Sequence, residues 1–159
     1  MIVVADAGPI HYLLLIGDID VLLPLFGRVL IPEGVQSELT RPATSAIVRQ
    51  WIANLPLWAE IRATGGLFDP QLARLGPGEH EAILLARQLS ADYLLMDDAR
   101  GRLAAEAEHL RTVGTIGILR NAARNGLIDF RSSFEKLMET NFRISSPFRN
   151  RILRENELS

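Results

Sequence analysis

Two short apolar segments, each ending in a carboxylate, decide the fold of this chain: IVVAD at residues 2–6 and YLLMDD at residues 93–98. A continuous apolar run of about four residues, rich in β-branched or aromatic side chains, is typical of a strand buried on both faces. Such strands usually belong to parallel sheets, where ligands bind outside the carboxyl ends of the strands. The pattern therefore predicts an α/β fold with Asp6 and Asp97 at the functional edge of the sheet.

Strands and helices are predicted to alternate along the chain. Besides the strands at about 2–6 and 93–96, apolar runs predict strands at 29–31 and 58–63 and a short one at 112–114. Helical spacing and start signals predict helices at 10–16, 18–26, from Pro32 to 39, 44–54, 79–89, 99–109 and 116–125, with helical stretches in 130–158. A turn is expected at 8–9 and irregular chain at 64–78. This alternation predicts a mostly parallel central sheet between helices.

Composition limits the class of protein. The 159 residues, 48% of them hydrophobic, suit one compact domain. The absence of cysteine excludes disulfides, thiolate zinc sites and a cysteine nucleophile. No apolar stretch approaches the roughly 18 residues of a membrane span, and the N-terminus lacks the basic region of a signal peptide, so we expect a cytoplasmic protein. The net charge of -2 gives no global nucleic-acid signature, although a local basic groove can lie on such a protein.

Four acids stand out by their positions. Asp6 and Asp97 end strands, Glu38 lies one turn into the helix after strand 29–31, and Glu79 lies in the first turn of the helix before strand 93–96. If the strands of Asp6 and Asp97 are neighbours, these carboxylates converge on one cleft, where their repulsion favours a bound cation. Carboxylates without His or Cys favour Mg²⁺ or Mn²⁺, which activates water and stabilises charge on a phosphate. We therefore expect phosphodiester chemistry.

Each of these residues also has a structural alternative. Asp6 could form a turn, Glu38 could be a solvated helix acid, and Glu79 could complement the N-terminus of its helix. Asp98 is predicted to be the N-cap of the following helix rather than a metal ligand. Arg102, one turn later, either pairs with Asp98 or orients the acids and contacts a substrate phosphate.

Other catalytic patterns are missing from the sequence. It contains no P-loop, no Gly-x-Gly-x-x-Gly, no Gly-x-Ser-x-Gly and no paired-histidine zinc motif, and GTIG at 114–117 is too short for a phosphate loop. An aspartyl-phosphate phosphatase needs a second acid two residues after the strand-end nucleophile, where this chain has Gly8. A phosphorylated receiver domain is disfavoured because the acid pair follows residue 96 and Lys136 is the only lysine.

The order of the acids resembles that in PIN-domain ribonucleases, especially the toxins of bacterial toxin–antitoxin pairs. The similar segments are VVADAGPI at 3–10, IPEGVQSEL at 31–39, LGPGEHEAILLA at 75–86 and LLMDDARGR at 94–102. The last two segments resemble a PIN-like branch other than that of the best-studied toxins. The resemblance is strongest over residues 1–128 of a single PIN-like domain spanning 1–159, with 129–159 as a helical tail.

The resemblance implies a three-layer α/β/α PIN-like fold and a Mg²⁺- or Mn²⁺-dependent endoribonuclease, the toxin of a toxin–antitoxin pair. RNA is then the substrate, with arginines at the rim of the site binding its backbone and residues 40–75 setting specificity. A small antitoxin protein and a second copy in a homodimer are the other expected partners, and no membrane is involved. The alternative is a catalytically inactive PIN-like module that binds RNA or protein.

The resemblance also assigns roles to residues. The implied catalytic residues are Asp6, Glu38, Glu79 and Asp97. Of these, Asp6, Glu79 and Asp97 would hold the metal directly or through water, Glu38 would complete the acidic ring or position the attacking water, and Asp98 and Arg102 would support the site. Many family members have a Ser or Thr shortly after the first acid, where this chain has Ala7 and Gly8. The third acid is Glu rather than the commoner Asp.

Overall fold

Five parallel strands form the central sheet in the computed structural model, which describes residues 1–157. The strands are β1 (Val3–Ala5), β2 (Val29–Pro32), β3 (Ala59–Arg62), β4 (Tyr93–Leu95) and β5 (Thr112–Val113). Their order across the sheet is β3-β2-β1-β4-β5, and each neighbouring pair is parallel. The predicted strands are therefore confirmed, and within the described chain the sheet is parallel throughout.

Helices cover both faces of the sheet. The nine α-helices within residues 1–157 are α1 (Ala7–Leu15), α2 (Leu22–Phe26), α3 (Glu33–Leu39), α4 (Ala46–Ala53), α5 (Pro77–Gln88), α6 (Ala99–Ala107), α7 (Thr115–Arg124), α8 (Phe130–Glu139) and α9 (Ser146–Glu157). Short 3-10 turns lie at Ile19–Val21 and Pro70–Leu72. None of the helices in this range is long and apolar enough to cross a membrane. The three-layer α/β/α fold is confirmed.

Side chains that alternate along each strand fill two separate cores. Val3 and Ala5 of β1 pack on one face of the sheet with side chains from α1, α7 and α8. Val4 packs on the other face with side chains from α5 and α6. Because both faces are covered, the strand needs apolar residues at every position, which is why its sequence is a continuous apolar run.

Proline positions account for the local differences from the predicted elements. The turn predicted at 8–9 is wrong, because α1 begins at Ala7 and includes both residues. Pro9 fits there since the first backbone N–H groups of a helix have no intrahelical partner. Pro32, predicted as the first helical residue, is instead the last residue of β2 and the N-cap of α3. The helix predicted at 18–26 is divided into a 3-10 turn and α2, so that Pro24 falls in the first turn of α2.

The sheet places its switch point between β1 and β4. The chain runs outward from β1 to β2 and β3, and then returns to the other side of β1 as β4. The backbone N–H of Asp6 donates to Leu95 O at 2.8 Å, which continues the pairing of the two strands to their carboxyl ends. Ligands of open α/β sheets bind at such a point. The strands that precede Asp6 and Asp97 are therefore neighbours, as the convergence of the acids requires.

The C-terminal helices are part of the main core. Phe134 and Leu137 of α8 and Ile152 of α9 are almost completely buried, in the same apolar cluster as Val3 of β1. The helical stretches predicted in 130–158 are confirmed as α8 and α9, and the end of the predicted range lies outside the described residues. Truncation before α8 would expose this core.

Candidate active site

Asp6 is the most buried of the four predicted acids. It occupies the N-cap position of α1 without a capping hydrogen bond from its side chain, and only 4% of the residue is exposed. Its Oδ1 atom is buried and has no hydrogen-bond partner among the described residues. Burial, and then the charges of Glu79, Glu38 and Asp97, raise the pKa of Asp6 to about 7, although the N–H of Ala7 opposes the shift. These charges place all four predicted acids in one electrostatic cluster.

Glu38 reaches this cluster because α3 packs against α5. A Cβ atom at Gly78, in the first turn of α5, would lie 2.8 Å from Glu38 Oε2 and 3.6 Å from Asp6 Oδ1. The two carboxylates therefore face the same small space, which only a glycine at position 78 leaves open. Burial and then the charge of Glu79 raise the pKa of Glu38, and Arg41 lowers it.

Glu79 lies one residue further along α5, and its carboxylate is folded back toward the start of the helix. Its Oε2 atom is 2.5 Å from the position that a Cβ atom would take at Gly76. The side chain is half-buried, and its charge acts on both Asp6 and Glu38. Glu79 therefore belongs to the cluster by charge, while its carboxylate rests on the loop before α5.

Asp97 is held in place by a residue that the sequence analysis missed, Thr115. The backbone N–H of Thr115 donates to Asp97 Oδ1 at 2.7 Å, and the Thr115 hydroxyl donates to Oδ2 at 2.6 Å. Burial raises the pKa of Asp97, while both bonds from Thr115 and the charge of Arg102 lower it. Since a carboxylate has room for about four hydrogen bonds or ligand contacts, each oxygen can still accept a cation.

The two supporting residues have different positions. Asp98 Oδ2 accepts a hydrogen bond from the N–H of Gly101 at 2.8 Å, which confirms Asp98 as the N-cap of α6. Within residues 1–157, Arg102 forms no ion pair with Asp98, and its Nε donates to Thr112 Oγ1 at 3.3 Å. The charge of Arg102 lowers the pKa of Asp97 instead. Of the two alternatives for Arg102, the geometry favours the one in which it faces the acids.

Gly8 lets the start of α1 pack directly on Asp97. A Cβ atom at this position would lie 3.0 Å from Asp97 Oδ2, closer than ordinary van der Waals contact allows without movement. The first turn of α1 therefore packs over Asp97 without placing a side chain from position 8 against it. The hydroxyl that contacts Asp97 comes from Thr115, at the start of α7.

The chemistry of these donors fits a hard divalent cation. The cluster offers carboxylate oxygens without His or Cys, the ligands that Mg²⁺ and Mn²⁺ prefer. The orphaned Oδ1 of Asp6 and its raised pKa indicate negative charge that is not compensated within the described chain. As the side chains stand, no three acidic or histidine residues in residues 1–157 are grouped closely enough to form a complete metal site. The residues fit the cation in type and charge, with waters or substrate oxygens completing the coordination.

A second residue missed by the sequence analysis, Tyr12, lies near Asp97. Its hydroxyl donates to Asn141 Oδ1 at 2.9 Å. Burial raises the pKa of Tyr12 and the charge of Asp97 raises it further, while Arg143 lowers it. No sequence pattern singles out Tyr12, because it occupies an ordinary helical position. Thr115 did carry a signal, since it directly follows the strand predicted at 112–114, and a hydroxyl side chain there lies at the same edge of the sheet as the acids.

Comparisons with known proteins agree with this fold. A family model described as a PIN domain (DUF3368) matches residues 2–157. The fold is similar to that of a solved structure described as a PilT N-terminus domain protein, SSO1118, from the hyperthermophilic archaeon Sulfolobus solfataricus P2. That similarity covers 91% of this chain and 100% of that chain, with a TM-score of 0.54 and 14% sequence identity, so it concerns the fold. Among curated proteins, none gives a significant match.

The family match covers nearly the whole chain, including the helices after residue 128. The protein therefore belongs to the PIN-domain family, as the order of its acids predicted. PIN domains are generally nucleases, and the nucleases among them typically use divalent metals. At this coarse level the family supports a hydrolase acting on nucleic acid.

Proposed function

We propose that this protein is a Mg²⁺- or Mn²⁺-dependent endoribonuclease. The observation that carries the proposal is the buried, unpartnered Oδ1 atom of Asp6, which faces the carboxylate of Glu38 at the switch point of the sheet. Buried polar atoms are nearly always hydrogen-bonded, so such an oxygen among carboxylates requires an explanation, and an ion is one of the few available. Because the family consists mainly of nucleases that typically use divalent metals, we infer that this ion takes part in catalysis.

Asp6, Glu79 and Asp97 would hold the metal, directly or through water. Such an ion supplies activation of water and stabilisation of charge on the reacting phosphate. Thr115 orients Asp97 through two hydrogen bonds, and Gly78 keeps the space between Asp6 and Glu38 open. The raised pKa of Glu38 makes its carboxylate a stronger base, which suits a group that accepts a proton from the attacking water.

RNA is the proposed substrate because the four acid-containing segments resemble those of PIN-domain ribonucleases. The same resemblance supports the finer proposal that the protein is the toxin of a toxin–antitoxin pair, with a small antitoxin and a homodimer as expected partners. Arg102 is suited to contact the substrate phosphate, since it lies near Asp97 and has no ion-pair partner among the described residues.

Metal-dependent cleavage of total cellular RNA by the purified protein tests the proposal. We expect discrete cuts with Mn²⁺ or Mg²⁺ and none with EDTA, and the ends of the products would identify the substrate. Isothermal titration with Mn²⁺ should show saturable binding in parallel. Absence of both cleavage and Mn²⁺ binding would contradict the proposal and favour an inactive module that binds RNA or protein.

Thr115→Val should lower both Mn²⁺ affinity and cleavage by about 10- to 100-fold, the usual effect of removing a residue that orients a metal ligand. Valine preserves the shape of the side chain and the backbone N–H, but it removes the 2.6 Å hydrogen bond to Asp97 Oδ2. Titration calorimetry and cleavage kinetics give the two values. Thr115→Ser retains the hydroxyl and should restore most of the activity, and equal loss in both variants would contradict a role for the hydroxyl.

A further inference from the structure

A groove lies between the 3-10 turn before α5 and the first two turns of α6. It encloses about 480 Å³ and is lined by Leu72, Arg74 and Leu75 on one wall and by Arg100, Leu103 and Ala104 on the other. This volume lies within the range of roughly 300–1,000 Å³ that is typical of small-ligand sites. Gln71 completes the lining.

The groove begins at the same edge of the sheet as the acids. One wall ends at Leu75, two residues before α5, whose first turn carries Gly78 and Glu79. The other wall is α6, which begins at Ala99, two residues after Asp97. The two segments that hold the acids therefore continue directly into the two walls of the groove.

Two uncompensated positive charges flank this groove. Arg74 and Arg100 are both exposed, and neither forms an ion pair or a side-chain hydrogen bond within residues 1–157. The groove has no acidic lining residue in the described chain, and the nearby Asp98 is engaged as the N-cap of α6. Guanidinium groups that are not neutralised locally attract anions, and their planar geometry matches phosphate oxygens.

The wall between the arginines is apolar. Leu103 is 69% exposed although it lies in the middle of α6, and Leu75 and Ala104 are half-buried beside it. An apolar surface with cations at its mouth is suited to a ligand that has a flat hydrophobic part and a phosphate. A nucleotide of a single-stranded nucleic acid combines the two, because its base can be unstacked from its neighbours.

We propose that this groove binds a nucleotide of single-stranded RNA next to the cleavage site, with its phosphate on Arg74 and Arg100 and its base against Leu103. The inference rests on the proposed ribonuclease function and adds a subsite to it. The subsite holds the strand while the acids act on a neighbouring phosphodiester. Its contribution is to affinity, so it is measurable without cleavage.

Binding of a short, fluorescein-labelled single-stranded RNA, measured by anisotropy in EDTA, tests the subsite. The double variant Arg74→Gln/Arg100→Gln should bind at least about tenfold more weakly than the wild type at low salt. For single strands each neutralised phosphate contributes about 0.7 to the slope of log affinity against log salt, and the two arginines share one phosphate, so the slope should fall by about 0.7. Leu103→Ser should weaken binding by about threefold with the slope unchanged, because it removes apolar contact only.

The double variant Arg111→Gln/Arg124→Gln is the matched control. It makes the same change in charge, but Arg111 precedes β5 and Arg124 ends α7, so both lie at the amino edge of the sheet, away from the acids. The control should bind RNA more tightly than the groove variant. Equal RNA affinity of the two double variants would contradict the proposed subsite. An acidic protein segment would then be the better candidate for the ligand of the groove.

Cleavage separates failure of the subsite from failure of the proposed function. If the wild type cleaves RNA with Mn²⁺ and the groove variant behaves like the control, the function stands and the subsite is wrong. If the wild type neither cleaves nor binds RNA, both are wrong. Support for both requires that the groove variant raise KM while kcat stays close to that of the wild type.

Discussion

Asp97→Asn should abolish metal-dependent cleavage of RNA, lowering the rate by at least about a thousandfold, while the protein remains folded. The change removes a negative charge from the acidic cluster but keeps the size of the side chain. Asparagine can still accept the hydrogen bond from the N–H of Thr115, which Asp97 Oδ1 accepts at 2.7 Å. Cleavage rates with Mn²⁺, together with circular dichroism and thermal unfolding, separate loss of chemistry from loss of fold.

Asp98→Asn provides a matched control, because it makes the same chemical change at the next residue. Asp98 caps α6, and asparagine is an equally good N-cap, so this variant should keep nearly full activity and stability. Full cleavage by Asp97→Asn would contradict the assignment of the site. Similar losses in both variants would indicate that net charge at the start of α6, rather than a ligand at Asp97, determines the rate.

The fold was predictable from the sequence because the clearest pattern, a short run of apolar residues followed by a carboxylate, reflects a physical requirement of a buried parallel strand. A strand covered on both faces must be apolar at every position, and the carboxylate that follows it must lie at the edge of the sheet. This reasoning located Asp6 and Asp97 and the layers around them. It did not locate Pro9 and Pro32 correctly, because proline fits a turn, an N-cap and the first turn of a helix equally well.

The details of the site depend on contacts between side chains that are distant in sequence. Thr115 reaches Asp97 only because β5 lies next to β4, and strand order does not follow from the pattern of either strand. Gly78 matters because α3 brings Glu38 to it. The sequence has no hydroxyl group directly after Asp6, whereas in the structure Thr115 at the start of α7 supplies one to Asp97.

Asp6→Asn should make the metal-free protein more stable at neutral and higher pH, by about 2 kcal/mol at pH 8. In the folded protein the pKa of Asp6 is raised from 3.8 to about 7, mainly by burial. The folded state therefore holds the proton more tightly than the unfolded chain does. Between pH of about 4 and 7 unfolding releases a proton, so the stability of the wild type falls as the pH rises through this window.

The expected size follows from two opposing effects. Full ionisation of Asp6 above pH 7 costs the fold about 4 kcal/mol, because each tenfold weakening of the acid corresponds to about 1.4 kcal/mol. Asparagine avoids this cost, but its amide inherits the unpartnered environment of Oδ1, which costs about 1–3 kcal/mol. Urea unfolding in EDTA from pH 4 to pH 8 should therefore show that the free energy of unfolding of the variant, relative to that of the wild type, increases as the pH rises. At pH 4 the variant should have little or no advantage in stability.

Mn²⁺ should reverse the order of stability, so that the wild type becomes more stable than Asp6→Asn. A cation that binds the folded wild type stabilises it in proportion to the logarithm of its concentration over its dissociation constant, and Asp6→Asn lacks the carboxylate that would bind it. Asp20→Asn, an exposed acid on the first 3-10 turn, should change stability by less than about 0.5 kcal/mol in either condition. A stability difference between wild type and Asp6→Asn that is independent of both pH and Mn²⁺ would show that ionised Asp6 does not destabilise the fold and that Asp6 is not a metal ligand. A difference that depends on both would show that the charge which destabilises the metal-free fold is the charge that binds the ion.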